Sequence, residues 1–276
     1  MNSDNAFLQL LKRRLFPTFE QIKQPSSDDV NSETRKSELT SDSEKTDASS
    51  SEKTYKKLHF AHIKAIAKFP NNCAINAPKV VKAFDQIAQQ LYPHPFSVPS
   101  VMITGCRRSE GRTTSAIQLA LALGRIQKAR VLLCGLDLEQ STLANQLGVV
   151  AEVSGFQKAF SGEEEIEEAI VYAKSENVYV LSAPQNPPAS FKLFSTSHAS
   201  HLFAQLHASF DMIVFDTSPW LSDDSITSLL ASRSGGAILT VRAYREESDV
   251  IDNIASSVAS YGAKVFGVIL NHGAGA

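Results

Sequence analysis

Residues 100–114 read Ser100-Val-Met-Ile-Thr-Gly-Cys-Arg-Arg-Ser-Glu-Gly-Arg-Thr-Thr114 and predict a strand, a tight turn and the start of a helix. The apolar run Val101–Ile103 is typical of a parallel strand that is covered on both faces. Gly111 lets the backbone turn and approach a ligand closely, and apolar residues at helical spacing follow Thr114. A loop that ends at a helix N-terminus directs free N–H groups and the helix dipole at one point, which favours phosphate binding.

The loop is close to the P-loop pattern G-x-x-x-x-G-K-[ST] but departs from it at two positions. Arg112 stands at the lysine, and Cys106 stands at the first glycine, with Gly105 just before it. Thr113 supplies the hydroxyl that would bind the magnesium ion of a nucleotide. On the loop alone, a simple glycine turn between a strand and a helix remains an open alternative.

Composition narrows the class of protein. The formal net charge of −2 gives no reason to expect general affinity for nucleic acid. The sequence has no apolar run as long as a membrane span and no evident signal peptide. The three cysteines, Cys73, Cys106 and Cys134, lack metal-site spacing and suit a reducing cytoplasm. We therefore expect a cytoplasmic protein with one large α/β domain and an appendage.

The appendage is expected over residues 1–57, as a short helix followed by a linker. Ala6–Phe16 is apolar and basic, which fits either an amphipathic helix on a partner or membrane surface or a loosely held terminal helix. Pro25–Lys53 is rich in Ser, Asp, Glu, Lys and Thr and cannot bury enough apolar surface to order itself. The ordered domain is expected over residues 58–276.

Strands and helices are predicted to alternate along this domain. Besides the strand before the loop, strands are expected at Ala129–Gly135, Val178–Ser182, Asp211–Asp216, Gly236–Arg242 and Lys264–Asn271. Helices are expected at Pro78–Tyr92, from Thr114 to Gly124, and at Glu163–Ala173, Phe194–Ser209 and Glu246–Ser260. This alternation predicts an α/β fold with a mostly parallel sheet and helices on both faces.

Polar side chains stand at the carboxyl ends of the predicted strands, where ligands bind in such sheets. Asp137 and Asp216 could hold a magnesium ion through its water shell or orient an attacking water. Each could instead cap the helix that follows. Asn271 could present its amide to an adenine edge or serve as a turn residue. Their convergence with the loop favours a nucleotide site.

Together these segments resemble the cytoplasmic domain of bacterial tyrosine kinases that act with polysaccharide co-polymerases in capsule and exopolysaccharide export. More broadly they resemble the MinD/ParA group of P-loop ATPases. The resemblance runs from about Pro78 to Asn271. Residues 104–114 are similar to the family's Walker A loop, residues 131–138 to its Walker A′ motif, and residues 210–219 to its Walker B strand.

The resemblance implies a nucleotide site for ATP or ADP with Mg²⁺. It implies that Arg112 stands at the phosphate-binding lysine, Thr114 near the α-phosphate and Asn271 at the adenine. The implied metal-site residues are Thr113, Asp137 and Asp216, and the two aspartates are also the implied catalytic residues. The implied nucleotide-binding residues are Arg107, Arg108, Ser109, Glu110, Gly111, Arg112, Thr113, Thr114 and Asn271.

The chain departs from the family pattern at several places. The planar fork of Arg112 is not equivalent to a compact ammonium group. Gly135 stands where the family has the first aspartate of an Asp-x-Asp pair. Lys82, Asp85 and Ala88 stand where the family has a Glu-x-x-Arg-x-x-Arg pattern for ring assembly, and the chain ends in Asn-His-Gly-Ala-Gly-Ala rather than in a tyrosine cluster.

These departures favour a degenerate kinase-like protein that binds nucleotide and regulates polysaccharide assembly or export through a membrane co-polymerase. The alternatives are an active ATPase or tyrosine autokinase, and a positioning ATPase of the MinD/ParA kind. The sequence Asp216-Thr-Ser-Pro219 favours the polysaccharide branch, and no DNA-binding stripe is evident. The resemblance further implies a place at the inner face of the cytoplasmic membrane through the partner, and a possible homo-oligomer.

Overall fold

The computed structural model describes residues 57–69, 77–92, 98–126, 129–138, 140, 142–149, 153–183, 194–222 and 225–271. The predicted helix at Ala6–Phe16 and the predicted linker Pro25–Lys53 lie outside the described residues, as does Cys73. Among the described residues, no helix combines the length and apolar character that a membrane crossing needs.

An eight-stranded sheet forms the centre of the domain, in the order β1-β4-β5-β3-β6-β2-β7-β8. All neighbours pair in parallel except β4 and β5, which are antiparallel. The predicted mostly parallel α/β fold is therefore confirmed. The strands are β1 (Lys64–Ile66), β2 (Ser100–Gly105), β3 (Val131–Gly135), β4 (Ile170–Ala173), β5 (Val178–Ser182), β6 (Met212–Asp216), β7 (Gly236–Arg242) and β8 (Lys264–Asn271).

Helices connect most of these strands. They are α1 (Pro78–Leu91), α2 (Arg112–Gly124), α3 (Leu143–Leu147), α4 (Val153–Ser161), α5 (Ser197–Ser209), α6 (Ser225–Arg233) and α7 (Ser248–Ser260). Short 3₁₀ turns lie at Phe60–His62, Ile166–Ala169 and Trp220–Ser222. Helix α1 begins with Pro78 in its first turn, where a missing N–H costs nothing.

The core lies on both faces of the sheet. On one face, Phe84 and Leu91 of α1 pack in a cluster with α2 and with Val101 and Ile103 of β2. Helix α2 is buried along most of its length, which explains why apolar residues surround it instead of forming one stripe. On the other face, aromatic rings pack against one another in a cluster that comprises Phe156, Phe160, Phe194, Phe203 and Phe215.

The helix predicted over Glu163–Ala173 is wrong. Residues 166–169 form a 3₁₀ turn, and Ile170–Ala173 forms β4. Ile166, Ile170 and Ala173 have helical spacing, but β4 pairs with β5 on one side and with β1 on the other. Pairing along two edges outweighs the local pattern, and the β-branched residues Ile170 and Val171 suit a strand.

Strand register brings the predicted site residues to one edge of the sheet. Ile103 of β2 and Gly135 of β3 both lie opposite Asp216 of β6. On the other side of β2, Gly105 lies opposite Thr240 of β7. The residues that follow these strand ends therefore emerge next to one another.

Candidate functional site

The loop between β2 and α2 is held in place through hydrogen bonds to its backbone carbonyl groups. The hydrogen bonds run from Leu221 N to Cys106 O (3.3 Å), Arg112 Nη1 to Arg107 O (2.6 Å), Arg245 Nη1 to Arg108 O (2.8 Å) and Asn271 Nδ2 to Glu110 O (3.0 Å). Because N–H and C=O point to opposite sides of a peptide plane, outward carbonyls turn the N–H groups inward. The loop therefore has the form of an anion-binding nest, in which the Glu110 carboxylate already accepts from the first N–H groups, those of Cys106 and Arg107.

Glu110 supports the first part of the loop from within the protein. Its side chain is buried, and Oε2 accepts a hydrogen bond of 2.9 Å from the backbone N–H of Arg107. Burial raises the pKa of Glu110, while backbone donors at Arg107 and Cys106 act in the opposite direction. Glu110 is one of the predicted nucleotide-binding residues, but its carboxylate accepts hydrogen bonds from the backbone of the loop itself.

Close packing explains the two glycines of the loop. A Cβ atom at Gly105 would lie 2.4 Å from Thr240 O and 2.6 Å from Glu110 Oε2. Gly111 has a φ of 87°, and a Cβ atom there would lie 2.0 Å from Asn271 Nδ2. Ser109 also adopts a positive φ, of 62°. The predicted tight turn at Gly111 is confirmed.

The N-terminus of α2 points its first backbone N–H groups into the site. Gly111 is the N-cap residue, and no side chain caps this helix. The first N–H groups of a helix have no acceptor within the helix, and the positive end of its dipole lies there. Together with the inward N–H groups of the loop, this end can bind a phosphate.

Arg112 lies in the site, but its guanidinium group is bound to protein atoms. Nε donates to Thr217 O at 3.0 Å, Nη1 to Arg107 O at 2.6 Å and Nη2 to Asp137 Oδ2 at 3.2 Å. The side chains of Arg112 and Asp137 are each only 7% exposed. Arg112 therefore links the loop to the ends of β3 and β6.

Asp137 has hydrogen bonds at both carboxylate oxygens. Besides the bond from Arg112, Oδ1 accepts from Ser218 Oγ at 3.2 Å and from Gln140 N at 3.1 Å. The alternative that Asp137 caps the next helix is wrong, because α3 begins at Leu143 with Thr142 as its N-cap residue.

Asp216 is completely enclosed beside Thr113. Burial raises the pKa of Asp216 to about 7, the Thr113 hydroxyl lowers it by hydrogen bonding, Asp137 raises it and Arg112 lowers it. Oδ1 of Asp216 has no hydrogen-bond partner among the described residues. The helix-cap alternative is wrong here too, because the next helical turn begins only at Trp220.

The turn after β7 adds residues that the sequence analysis missed. The side chain of Glu246 is buried and forms a 2.8 Å ion pair with Arg107, while Arg245 donates to Arg108 O. Tyr244 precedes them with a φ of 61° and is 75% exposed. The turn follows a strand end, so the rule that located Asp137 and Asp216 could have located it as well.

The site suits a phosphate better than a complete magnesium shell. The uncapped α2 N-terminus and the loop N–H groups suit an anion. Thr113 and the unpaired Oδ1 of Asp216 could face a cation, but Asp137 is bound to Arg112. Among the residues that the structure describes, no group of three or more His, Cys, Asp or Glu side chains is arranged to hold a metal ion.

Residues 105–245 match the family described as "AAA domain". The chain is 27% identical over 172 residues to the tyrosine-protein kinase YwqD of Bacillus subtilis, covering 62% of this chain and 71% of the kinase. It is 25% identical over 170 residues to the tyrosine-protein kinase CpsD of Streptococcus agalactiae, covering 61% of this chain and 73% of that protein.

Solved structures agree with this fold. The kinase domain of VpsO is 26% identical, with a TM-score of 0.65 over 71% of this chain and 96% of that chain. The kinase domain of the Escherichia coli tyrosine kinase ETK is 20% identical, with a TM-score of 0.63 over 71% and 78%. MinD of Pyrococcus horikoshii, solved with Mg-ADP, is 22% identical, with a TM-score of 0.52 over 62% and 69%. The last two similarities concern the fold alone.

Proposed function

The chain belongs to the AAA domain family, among relatives of the bacterial P-loop tyrosine kinases, and we propose that it is a nucleotide-binding regulator of exopolysaccharide or capsule biosynthesis. It binds ATP or ADP in the loop between β2 and α2 and has little phosphotransfer activity. It acts on export or assembly through a membrane co-polymerase, which holds it at the inner face of the cytoplasmic membrane.

Nucleotide binding is supported by the backbone of the loop. The carbonyl groups of Cys106, Arg107, Arg108 and Glu110 all accept hydrogen bonds, which fixes the path of the loop. The first N–H groups, those of Cys106 and Arg107, already serve the Glu110 carboxylate, so a phosphate would bind the later N–H groups of the loop and those of the first turn of α2. These backbone donors do not depend on a lysine. Asn271, which the resemblance assigns to the adenine contact, donates from its side-chain amide to Glu110 O of this loop.

Weak phosphotransfer is supported mainly by the position of Arg112. Phosphoryl transfer needs cationic groups aimed at the charge that develops on the transferred group and the leaving oxygens. The guanidinium of Arg112 instead donates to Thr217, Arg107 and Asp137. Turning it toward a phosphate would leave Thr217 O, Arg107 O and Oδ2 of Asp137 without these donors.

An active ATPase or autokinase is the second candidate. It is favoured by Thr113 and Asp216, which keep a hydroxyl and a carboxylate in contact at the end of β6. In this case Thr113 and Asp216 hold the magnesium ion without Asp137.

The two candidates differ in turnover. The test measures calorimetric binding of ATP and ADP together with phosphate release and tyrosine phosphorylation, using a kinase related to this chain as the positive control. Binding with negligible turnover supports the regulator. Sustained phosphate release or phosphotyrosine formation by the wild-type chain supports the enzyme. In cells, a deletion strain complemented with the wild-type gene or with a variant of the loop then reports whether nucleotide binding changes the amount or length of the polymer.

A further inference from the structure

The pairing of Arg112 with Asp137 bears on the form of the nucleotide that the site accepts. Resting on the proposed nucleotide site, we infer that this chain binds nucleoside diphosphates independently of magnesium, because Arg112 neutralises the carboxylate that would otherwise contribute to a metal shell. The chemical class of the ligand is thus a metal-free nucleotide rather than its magnesium complex.

Arg112 is fixed by three different parts of the chain. Its acceptors belong to the loop at Arg107, to the segment after β6 at Thr217 and to the end of β3 at Asp137. A planar fork with several donors matches such a set of fixed acceptors, whereas a compact ammonium group does not. The cation is therefore part of the framework before a ligand binds.

Asp137 is correspondingly unsuited to a magnesium ion. One oxygen accepts from Arg112, and the other accepts from Ser218 Oγ and Gln140 N. Magnesium demands near-ideal octahedral geometry and gives up its own water reluctantly. It would have to compete with a buried guanidinium for a carboxylate whose charge is already compensated.

The neighbouring strand end offers no replacement carboxylate. Gly135 is opposite Asp216 in the sheet, but a Cβ atom at Gly135 would lie 2.6 Å from Leu143 Cδ2. Leu143 is buried and fills the space that a longer side chain would need. Of the two aspartates in the described part of the site, Arg112 binds Asp137 directly. Asp216, which lies beside Thr113, is the one that it does not bind.

Calorimetry with ADP tests the inference directly. Wild-type protein is titrated with ADP in millimolar magnesium chloride and, separately, in EDTA. We expect dissociation constants that agree within about threefold. Arg112→Met keeps much of the side-chain volume but removes the donors, so Asp137 becomes available to a metal. In this variant, magnesium should tighten ADP binding by about tenfold or more.

A matched control lies at the other end of the same helix. Arg125 pairs with Asp85 on the surface, with its Nη2 at 2.6 Å from Asp85 Oδ1. Arg125→Met removes an Arg–Asp pair as well, but away from the loop, and should gain no response to magnesium. If Arg112→Met does not fold, Asp137→Asn replaces it, and its ADP affinity should remain insensitive to magnesium, like that of the wild type.

The outcomes separate this inference from the proposed function. Absence of ADP binding by the wild type in both buffers would overturn the nucleotide site itself. Binding by the wild type that requires magnesium would overturn the inference and leave the nucleotide site intact. A folded Arg112→Met protein that stays insensitive to magnesium would show that Arg112 is not the cause. If ADP binding by the wild type responds to magnesium and Asp137→Asn abolishes that response, Asp137 is a metal ligand in the wild type. This result would also overturn the inference.

Discussion

Asn271 donates a hydrogen bond of 3.0 Å from its side-chain amide to the backbone carbonyl of Glu110. This bond ties the last strand of the sheet to the loop that precedes α2. It also accounts for Gly111, since any side chain at that position would collide with the Asn271 amide. Asn271, for which the sequence suggested an adenine contact, thus supports the loop between β2 and α2.

Replacing Asn271 should weaken nucleotide binding through the loop. Asn271→Asp keeps the size of the side chain but places an acceptor against the Glu110 carbonyl, so the hydrogen bond is lost. Leaving the Glu110 carbonyl without its donor costs roughly 1–3 kcal/mol. We expect a drop of this size in the free energy of unfolding, measured with urea, and a weaker calorimetric affinity for ADP. Unchanged stability together with unchanged affinity would contradict a supporting role for Asn271.

Restoring the missing family aspartate should destabilise the protein. Gly135→Asp pushes a side chain into Leu143, and overpacking of this kind typically costs about 1–3 kcal/mol. The cost should appear as a lower urea midpoint. Leu143→Ala opens the space, so it should be less harmful in the Gly135→Asp background than in the wild type. Purely additive effects of the two substitutions would argue against a steric conflict.

Stability should fall in mild acid because of His207. Burial and the nearby charge of Arg233 lower the pKa of His207 to about 4, compared with an ordinary value of 6.5. The ring packs against Phe215, and its Nε2 lies 3.2 Å from Ser100 Oγ. Below pH 6.5 the unfolded chain binds a proton that the folded chain rejects. The stability that the neutral His207 ring contributes is therefore fully present above pH 6.5 and is lost as the pH falls toward 4. The full difference amounts to roughly 3 kcal/mol.

Urea unfolding between pH 7 and pH 4 checks this effect. His207→Gln should show a smaller loss of stability over this range than the wild type. His201→Gln is the matched control, because His201 is an exposed residue of the same helix, and this variant should follow the wild-type curve. Parallel curves for the wild type and His207→Gln would exclude His207 as the source of the acid sensitivity.

Local sequence pattern predicted six of the eight strands and the edge of the sheet at which the candidate site lies, but it missed β1 and β4. Asp216 and Asn271 were identified because each ends an apolar run, and parallel strands bring their carboxyl ends to one edge. The pattern failed at Ile170–Ala173, because the strand forms only by pairing with chain segments far away in sequence. It also failed for the direction of the Arg112 and Glu110 side chains, since these depend on the path of the loop through the positive φ of Ser109.

The role of Arg112 can be tested by restoring the family's lysine. Arg112→Lys gives up the fork that reaches Thr217 O and Arg107 O, and leaves a shorter-range, mobile ammonium group at the N-terminus of α2. Such a group can be aimed at the charge that develops during phosphoryl transfer, whereas the guanidinium of Arg112 is aimed at Thr217, Arg107 and Asp137. Ground-state binding rests mainly on backbone N–H groups that the substitution does not change. Turnover of ATP should therefore rise by about tenfold or more, while ADP affinity changes by less than about threefold.

Two further comparisons make this result specific to the cation. Arg112→Met has no charge at this position and should gain no turnover, even though it also releases Asp137. Thermal unfolding of both variants should show a loss of stability, because each removes hydrogen bonds to Thr217 O and Arg107 O. Wild-type turnover equal to that of Arg112→Lys would mean that the bound guanidinium does not limit the chemistry. Arg112 would then have to be regarded as a functional equivalent of the family's lysine and not as a residue with a purely structural role.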